Sequence, residues 1–374
     1  MTPEVELTVR PRPSKTQLKN LSPKQMREAM VGLGEKEYRG DQLAQWLFLH
    51  GASSFDEMTS ISKATRSLIS QSCTVEPLLR LEAEETDPLG AKRLLWRLTD
   101  DLLVESVILR ERDHQTLCVS TQVGCRMGCR FCRTGTLGLS RNLTQGEIVE
   151  QLILARKMVP KRGLKITNVV FMGMGEPLDN EKNVLAALEI IVSPKFQAVP
   201  MRGVSLSTVG VIPALDRIVA AGGLKGRFTI SLGSANDALR SQLMPSNLTW
   251  PLAKLKETLI EYQRLPRKQR VTIAYVLLDG VNDSPDQARE LSRFMAGLKT
   301  KVNLIPFNPW PDAPFNRPSA EAVETFKTVL AEKNYAVQIR DTKGASINAA
   351  CGLLVADRAT DQAPQTSPEL PSSR

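Results

Sequence analysis

Cys125-Arg126-Met127-Gly128-Cys129-Arg130-Phe131-Cys132 sets three cysteines at C-x3-C-x2-C spacing, in a loop just after the apolar run Leu117–Ser120. Gaps this short let three thiolates converge on one centre. Two metal readings compete. Structural zinc wants four protein ligands, and Cys118, upstream of the trio, could supply the fourth. A [4Fe–4S] cluster held by three cysteines leaves one iron open for a small-molecule ligand. Three close cysteines at the head of an alternating α/β unit favour the cluster; a site without metal is the third reading.

Outward from this loop the pattern alternates as far as about residue 341. Strand-like runs fall at Leu117–Ser120, Asn168–Met172, Gly203–Ser207, Phe228–Leu232, Val271–Leu278, Val302–Pro306 and Ala336–Arg340. Helix-like segments fill the gaps, one opening on the capping-box string Thr144-Gln145-Gly146-Glu147. Others cover Asn180–Val192, Pro213–Ala221, Leu252–Tyr262, Pro285–Met295 and Ala320–Lys333. Such alternation predicts an α/β unit on a parallel sheet, open or closed into a barrel. Its active site belongs at the carboxyl ends of the strands.

The flanks read differently. Lys92–Leu98 and Leu102–Leu109 form a hairpin around the turn Thr99-Asp100-Asp101, with Glu105 in the second run. From Ser22 to Cys73 the spacing is helical: Leu43, Trp46 and Leu47 make one buried stripe, and Gly51 is a C-terminal stop. Lys24, Arg27, Lys36 and Arg39 suit a solvated helix face, with phosphate binding the alternative. The predicted order is a flexible basic arm over 1–20, a helical accessory domain over 21–90, a β-hairpin extension over 91–115, the α/β unit over 116–355 and a disordered Pro/Ser/Thr/Gln-rich tail over 356–374.

The 374 residues suggest about two domains. Apolar residues at 42% and charged residues at 24% are ordinary for a soluble globular chain. Lys and Arg exceed Asp and Glu by 49 to 40, a net charge of +9 that is compatible with phosphate binding. Arg264, Arg267, Lys268 and Arg270 are a candidate phosphate patch. Four of the six cysteines fall between Cys118 and Cys132, unlike the spread-out framework of a secreted domain. No apolar run approaches the ~18 residues of a membrane span, and the N-terminus has no signal-peptide core. The expected compartment is a reducing cytoplasm. With only His50 and His114, triads and His-rich metal sites are unlikely, so chemistry rests on Cys, Glu, Asn, Ser, Lys and Arg.

The string C-x3-C-x-F-C resembles the cluster motif of the radical S-adenosylmethionine (SAM) superfamily, and Phe171-Met172-Gly173-Met174-Gly175-Glu176-Pro177 resembles its Gly-rich cofactor motif. Leu117-Cys118-Val119-Ser120-Thr121-Gln122-Val123-Gly124-Cys125, Arg141-Asn142-Leu143-Thr144, Leu206-Ser207-Thr208, Val281-Asn282-Asp283, Asn303-Leu304-Ile305-Pro306 and Ala349-Ala350-Cys351-Gly352 lie in the order of the RlmN/Cfr group of dual-cysteine radical methyltransferases. Tyr38–Leu43 and Phe55–Thr59 are similar to that group's accessory domain. The match runs from about residue 20 to 355.

The resemblance implies a partial (βα)6 radical SAM barrel with a small N-terminal helical accessory domain and β-hairpin. It implies methylation of an adenosine of 23S rRNA at C2, with a tRNA adenosine as second substrate and C8 as the alternative carbon. One [4Fe–4S] cluster would sit on Cys125, Cys129 and Cys132, and two SAM molecules would be used per turnover. Cys351 would carry the methyl group, and Cys118 would release the product, leaving a Cys118–Cys351 disulfide. Glu105 would accept a proton. Gly175, Glu176, Ser207, Ser231, Leu232, Gly233 and Asn308 would contact the cofactor. An electron donor such as flavodoxin or ferredoxin would be the protein partner, and no membrane is involved. Taken alone, Cys118 and Cys351 read first as small buried residues, and Cys73 reads that way throughout.

The chain also departs from the group. Ser231-Leu232-Gly233 stands where Ser-Leu-His is usual, Gly344–Asn348 carries no carboxylate, and Leu353 replaces Gln. These changes lean toward the C8-methylating branch or a side branch of its own. The other readings are a radical SAM enzyme with a non-RNA substrate and a zinc-containing RNA-binding protein.

Overall fold

The computed structural model describes residues 15–160, 162–266, 270–340 and 343–356. Most of the expected basic arm, Arg267 and Lys268 of the candidate patch, and the tail from 357 lie outside the described residues. The chain divides into two units, one ending at Pro77 and one beginning at Leu78.

In the first unit, β1 (Thr16–Gln17) pairs in parallel with β2 (Cys73–Thr74). Between them lie α1 (Pro23–Gly32), α2 (Tyr38–Gln45) and α3 (Lys63–Ser72). Ser22 and Gln25 cap α1 reciprocally, with Pro23 at its first position. After α2 the chain winds one wider turn over Trp46–His50 and stops at Gly51, which takes φ 65°. Met26, Met30, Leu43, Leu47, Phe48 and Ile69 form the buried core. A side chain on Gly40 would meet the Arg27 backbone at 2.4 Å, so only glycine lets α1 and α2 approach this closely. Arg27 is engaged by Glu37 and Asp41 at 3.3 and 2.9 Å.

The second unit is built on one ten-stranded sheet. Its strands are β3 (Leu79–Thr86), β4 (Lys92–Leu98), β5 (Leu103–Arg110), β6 (Gln115–Cys118), β9 (Ile166–Phe171), β10 (Val204–Thr208), β11 (Arg227–Ser231), β12 (Val271–Leu277), β13 (Thr300–Pro306) and β14 (Ala336–Ile339). A separate hairpin, β7 (Gln122–Cys125) with β8 (Gly138–Asn142), brackets the cysteine loop and the short α4 (Arg133–Thr136). The spatial order is β14-β13-β12-β11-β10-β9-β6-β5-β4-β3. From β6 to β14 all neighbours are parallel; from β6 to β3 all are antiparallel. The crossovers carry α5 (Gln145–Met158), α6 (Glu181–Val192), α7 (Ile212–Ala220), α8 (Asp237–Leu243) with α9 (Leu252–Arg264), α10 (Pro285–Met295) and α11 (Ala320–Ala331). This is the partial βα barrel the sequence implies, extended by three antiparallel strands.

Local signals account for these elements. Thr144 with Glu147 and Ser284 with Gln287 form capping boxes on α5 and α10. The parallel strands bury Val169, Phe171, Leu206, Ile230, Ile273 and Leu304, as strands covered by helices should. One boundary needs correction. β3 falls in the stretch assigned to the helical domain of 21–90, yet it pairs with β4 in the sheet. It is an edge strand, Leu81 is 40% exposed and acidic residues punctuate it, so it lacks the apolar run that marks the other strands. The cysteine stretch is also more ordered than a plain loop, since Cys125 ends β7.

Candidate active site at the carboxyl ends of the strands

Chain direction and sheet order bring the expected residues to one end of the second unit. The Gly-rich motif follows β9 and folds back on the strand leading to the cysteines. Thr121 N–H and Gln122 N–H both donate to Met174 O, at 2.8 and 3.2 Å. A side chain on Gly173 would lie 2.7 Å from Val119 O, and one on Gly175 (φ 100°) 2.5 Å from Gln122 Cβ. Glycine is required at both positions by close approach and, at Gly175, by positive φ.

Cys125, Cys129 and Cys132 line one cavity of about 170 Å³ together with Gly175, Glu176, Ser207, Ser231 and Asn308. Burial pushes the Cys125 thiol up to about 12 and raises Cys129 and Cys132 as well; Cys125 and Cys129 are also raised by neighbouring Cys132, and Cys132 by Cys351. Buried thiols that resist ionisation fit a site where a cationic centre holds them as thiolates. Among the described residues no three His, Cys, Asp or Glu groups converge tightly enough for a single metal ion. Three thiols around one cavity fit the three protein ligands of a cluster, which spreads its ligands over several irons. Cys118, the fourth ligand of the zinc reading, does not line this cavity.

Glu176 is buried and accepts from Leu178 N–H at 3.0 Å and Val209 N–H at 2.9 Å. Burial still outweighs these donors and the Thr208 hydroxyl, raising its carboxyl to about 7. Ser207 Oγ and Ser231 Oγ lie 3.1 Å apart across β10 and β11. Leu232 and Gly233 do not line the cavity. Gly233 has φ 71°, and a side chain there would meet Met244 Sδ at 2.6 Å. Its carbonyl accepts from Asn282 Nδ2 at 2.7 Å.

A second cavity of about 260 Å³ adjoins the first and is lined by Cys118, Val107, Leu109, Glu111 and Lys343 among others. Cys351 and Asn308 line both cavities, as do Asn303, Met172 and Arg340. Cys118 is the last residue of β6 and lies across from Val107 on β5 and Val170 on β9. Burial first, then neighbouring Cys351, raise its thiol to about 12, while Arg340 opposes the rise. No disulfide joins the two cysteines.

Cys351 sits on a segment strapped across this end of the unit. Arg133 N–H donates to Gly352 O at 2.7 Å, Thr134 Oγ1 to Leu354 O at 2.6 Å and Asn308 Nδ2 to Cys351 O at 3.2 Å. From the other side, Gly344 N–H donates to Asp87 Oδ2 at 3.0 Å and Lys343 Nζ to Glu111 at 2.6 Å. Glu105 shares a face of β5 with Val107 and Leu109 but lines neither cavity. It is fully buried, with Oε1 at 3.0 Å from Arg93 and Oε2 accepting from Val355 N–H at 3.2 Å. Burial raises its carboxyl, and Arg93 and the strap N–H groups oppose that.

Sequence reasoning assigned no role to Arg340, Asn303, Met172 or Asp87, although Met172 and Asn303 lie within the motif strings. Only the first three carry a recognisable signal, a polar or sulfur side chain at or just beyond the carboxyl half of a barrel strand.

The comparisons with known proteins agree with this arrangement. Residues 16–75 match the family model described as the ribosomal RNA large subunit methyltransferase N-terminal domain, and residues 119–291 match that of the radical SAM superfamily. A Marinobacter nauticus protein named dual-specificity RNA methyltransferase RlmN is 42% identical over 327 residues, 86% of this chain and 88% of that one. The protein of the same name from Anaeromyxobacter dehalogenans is 41% identical over 347 residues, 91% and 92% of the two chains. The crystal structure of a radical SAM methyltransferase from Sphaerobacter thermophilus is 36% identical, with a TM-score of 0.85 over 91% of this chain and all of that one. With the cysteine trio, the Gly-rich turn and both outlying cysteines in place, the chain belongs to the RlmN family of the radical SAM superfamily.

Proposed function

We propose that this chain is a radical SAM methyltransferase acting on C2 of an adenosine in 23S rRNA, with a tRNA adenosine as second substrate. The observation that carries this reading is the position of Cys351, which borders both the cavity of the three cysteines and the cavity of Cys118. A carrier of one carbon between a cofactor and a base needs that double access. The names borne by the relatives support an RNA substrate, and the N-terminal family model supports the large ribosomal subunit.

Adenine C2 is an electrophilic ring carbon and does not take a methyl cation by ordinary displacement. In this reading Cys351 thiolate attacks the methyl carbon of one SAM, forming its S–C bond as the sulfonium S–C bond breaks and S-adenosylhomocysteine leaves. Cys125, Cys129 and Cys132 would hold a [4Fe–4S] cluster, which would supply the electron for reductive cleavage of a second SAM at its 5′ carbon. Methylated Cys351 would give up one methyl hydrogen atom to the 5′ carbon of the cleaved SAM, and its carbon would add to C2; the adduct would then give back the one electron spent on SAM cleavage and lose the C2 proton, leaving a thioether between Cys351 and the base. Cys118 thiolate attacks the Cys351 sulfur; the S–C bond breaks, its electron pair stays with the carbon, which takes up a proton to become the product methyl group, and a Cys118–Cys351 disulfide remains. A cellular thiol reductant resets the disulfide, and a flavodoxin or ferredoxin is the proposed electron donor. A reducing cytoplasm suits both needs, and among the described residues no helix is long and apolar enough to cross a membrane.

Gly175, Glu176, Ser207, Ser231 and Asn308 are the proposed cofactor contacts. Leu232 and Gly233 shape the turn behind Ser231. Glu105 as proton acceptor requires Val355 to move away from its carboxylate, so we assign it first as an anchor of the strap.

The test is anaerobic reconstitution with iron, sulfide, SAM and reductant, then digestion of unmodified rRNA and tRNA and mass spectrometry of the nucleosides. C2-methyladenosine is the expected product. C8-methyladenosine would move the chain to the other branch, and deoxyadenosine without methylated RNA would point to a non-RNA substrate.

A further inference from the structure

Asn303 Oδ1 is buried and has no hydrogen-bond partner among the described residues. Several other buried side-chain atoms lack partners, but Asn303 is the one among them that lines these cavities, and it lines both. Asparagine is unfavourable inside a strand, and an unsatisfied buried amide is costly. Such a residue at a cavity wall points to a ligand that supplies the missing bond.

Its place in the sheet says where that ligand sits. On β13, Val302 and Leu304 are fully buried on one face, while Asn303 and Ile305 face the cavities. Cross-strand pairing aligns Ser231 with Ala274, Ala274 with Asn303 and Asn303 with Gln338. This row begins in the cysteine-trio cavity with Ser231 and Ala274 and ends in the Cys118 cavity with Gln338. Asn303 stands between them, where Cys351 also borders both spaces. The small Ala274 leaves room beside the amide.

We propose that Asn303 reads an adenine edge: its carboxamide accepts from the N6 amino group and donates to N7 of a base held where the two cavities meet. A carboxamide offers one acceptor beside one donor, the complement of adenine's amino group and neighbouring nitrogen. Guanine or hypoxanthine presents a carbonyl at that position and leaves the Asn303 oxygen unpaired. This inference rests on the functional reading above, which brings adenine to this end of the sheet twice, in the target nucleotide and in SAM.

The experiment separates those two sources. Asn303→Leu and Asn303→Asp are compared with the wild type by equilibrium dialysis of SAM and by methylation of the transcript the wild type modifies. That transcript is used with adenosine, purine riboside or inosine at the methylated position. Loss of a bidentate contact should lower kcat/KM on adenosine by about tenfold or more. In Asn303→Leu the wild type's preference for adenosine over purine riboside should vanish, with SAM affinity unchanged. If SAM affinity falls instead, the amide reads the cofactor's adenine. Unchanged SAM affinity together with unchanged base preference overturns the proposal. If the wild type methylates no RNA, the preceding functional reading fails, and SAM affinity alone decides: a drop in the variants supports the adenine contact and no drop overturns it. Because Asn303 Oδ1 makes no internal bond, Asn303→Leu should melt no lower than the wild type; a lower melting point would assign the amide a structural role instead.

Discussion

The backbone N–H of Val355 donates to Glu105 Oε2 at 3.2 Å, joining the strap just past Cys351 to the middle of β5. The other carboxylate oxygen holds Arg93 at 3.0 Å, and Arg93 also meets Glu85 at 2.8 Å. One buried carboxylate therefore ties the antiparallel extension to the segment that carries the proposed methyl acceptor.

Glu105→Gln keeps an acceptor for Val355 but removes the charge that faces Arg93. Breaking a buried ion pair from one side costs about 3–5 kcal/mol. Glu85 stays in place, so the expected loss is at the lower end of that range. Urea unfolding measures it, and the double variant with Arg93→Met should recover part of the loss. Equal stability of Glu105→Gln and wild type would show that the pair does not hold this region.

Cys351→Ala should abolish methylation while leaving the iron content intact, because Cys351 is not one of the cysteine trio. Cys118→Ala should leave the base attached to Cys351, seen as a protein band shifted by RNA after denaturing electrophoresis. Full activity of Cys351→Ala would rule out the two-step transfer.

The helices and strands of the barrel were legible because apolar runs alternate with capping residues such as Thr144, Ser284 and Ser319. β3 was not, because an edge strand needs no continuous apolar run. The cysteine trio could be read from spacing alone. The meeting of Cys118 with Cys351 could not, since nothing local links β6 to a segment beyond β14; only the family resemblance joined them. Arg340 and Asn303 look like ordinary polar residues until the sheet register turns them toward the cavities. Gly233 marks the opposite case. The expected cofactor contact is a tight turn packed on Met244.

Gly175→Ala should cripple SAM binding. Its φ of 100° disfavours any side chain, and the new Cβ would lie 2.5 Å from Gln122 Cβ. The strained backbone alone costs about 1–3 kcal/mol. Gln122 would have to move, and its Oε1 accepts from Glu176 N–H at 2.8 Å. Calorimetric titration with SAM should show a large loss of affinity, and a wild-type value would mean that the turn does not form part of the cofactor site.

Glu176 should make stability depend on pH. Its carboxyl titrates near 7 in the folded chain against 4.5 unfolded, so the folded state holds the extra proton between those values. The associated stability is fully present below about 4.5 and is lost as pH rises through 7. Over that window the wild type should lose on the order of 3 kcal/mol relative to Glu176→Gln. Melting curves from pH 5 to 8 compare the two slopes; parallel slopes would show that Glu176 does not titrate in this range.

Asp87 holds the far end of the strap. Its Oδ1 accepts from Ala91 N–H at 2.7 Å within its own turn, and its Oδ2 accepts from Gly344 N–H at 3.0 Å, 257 residues away in sequence. Asp87→Ala removes both bonds, and the strap bond is worth roughly 1 kcal/mol. Strap opening should then rise about fivefold, and with it the rate at which iodoacetamide labels Cys351. Thr134→Val releases the other end, where Thr134 Oγ1 donates to Leu354 O at 2.6 Å, and should have a similar effect. Labelling of Cys73, in the first unit, is the internal control. If Cys351 reacts at the wild-type rate in both variants, these contacts do not limit its exposure, and access to the thiol is governed by the cavity walls instead.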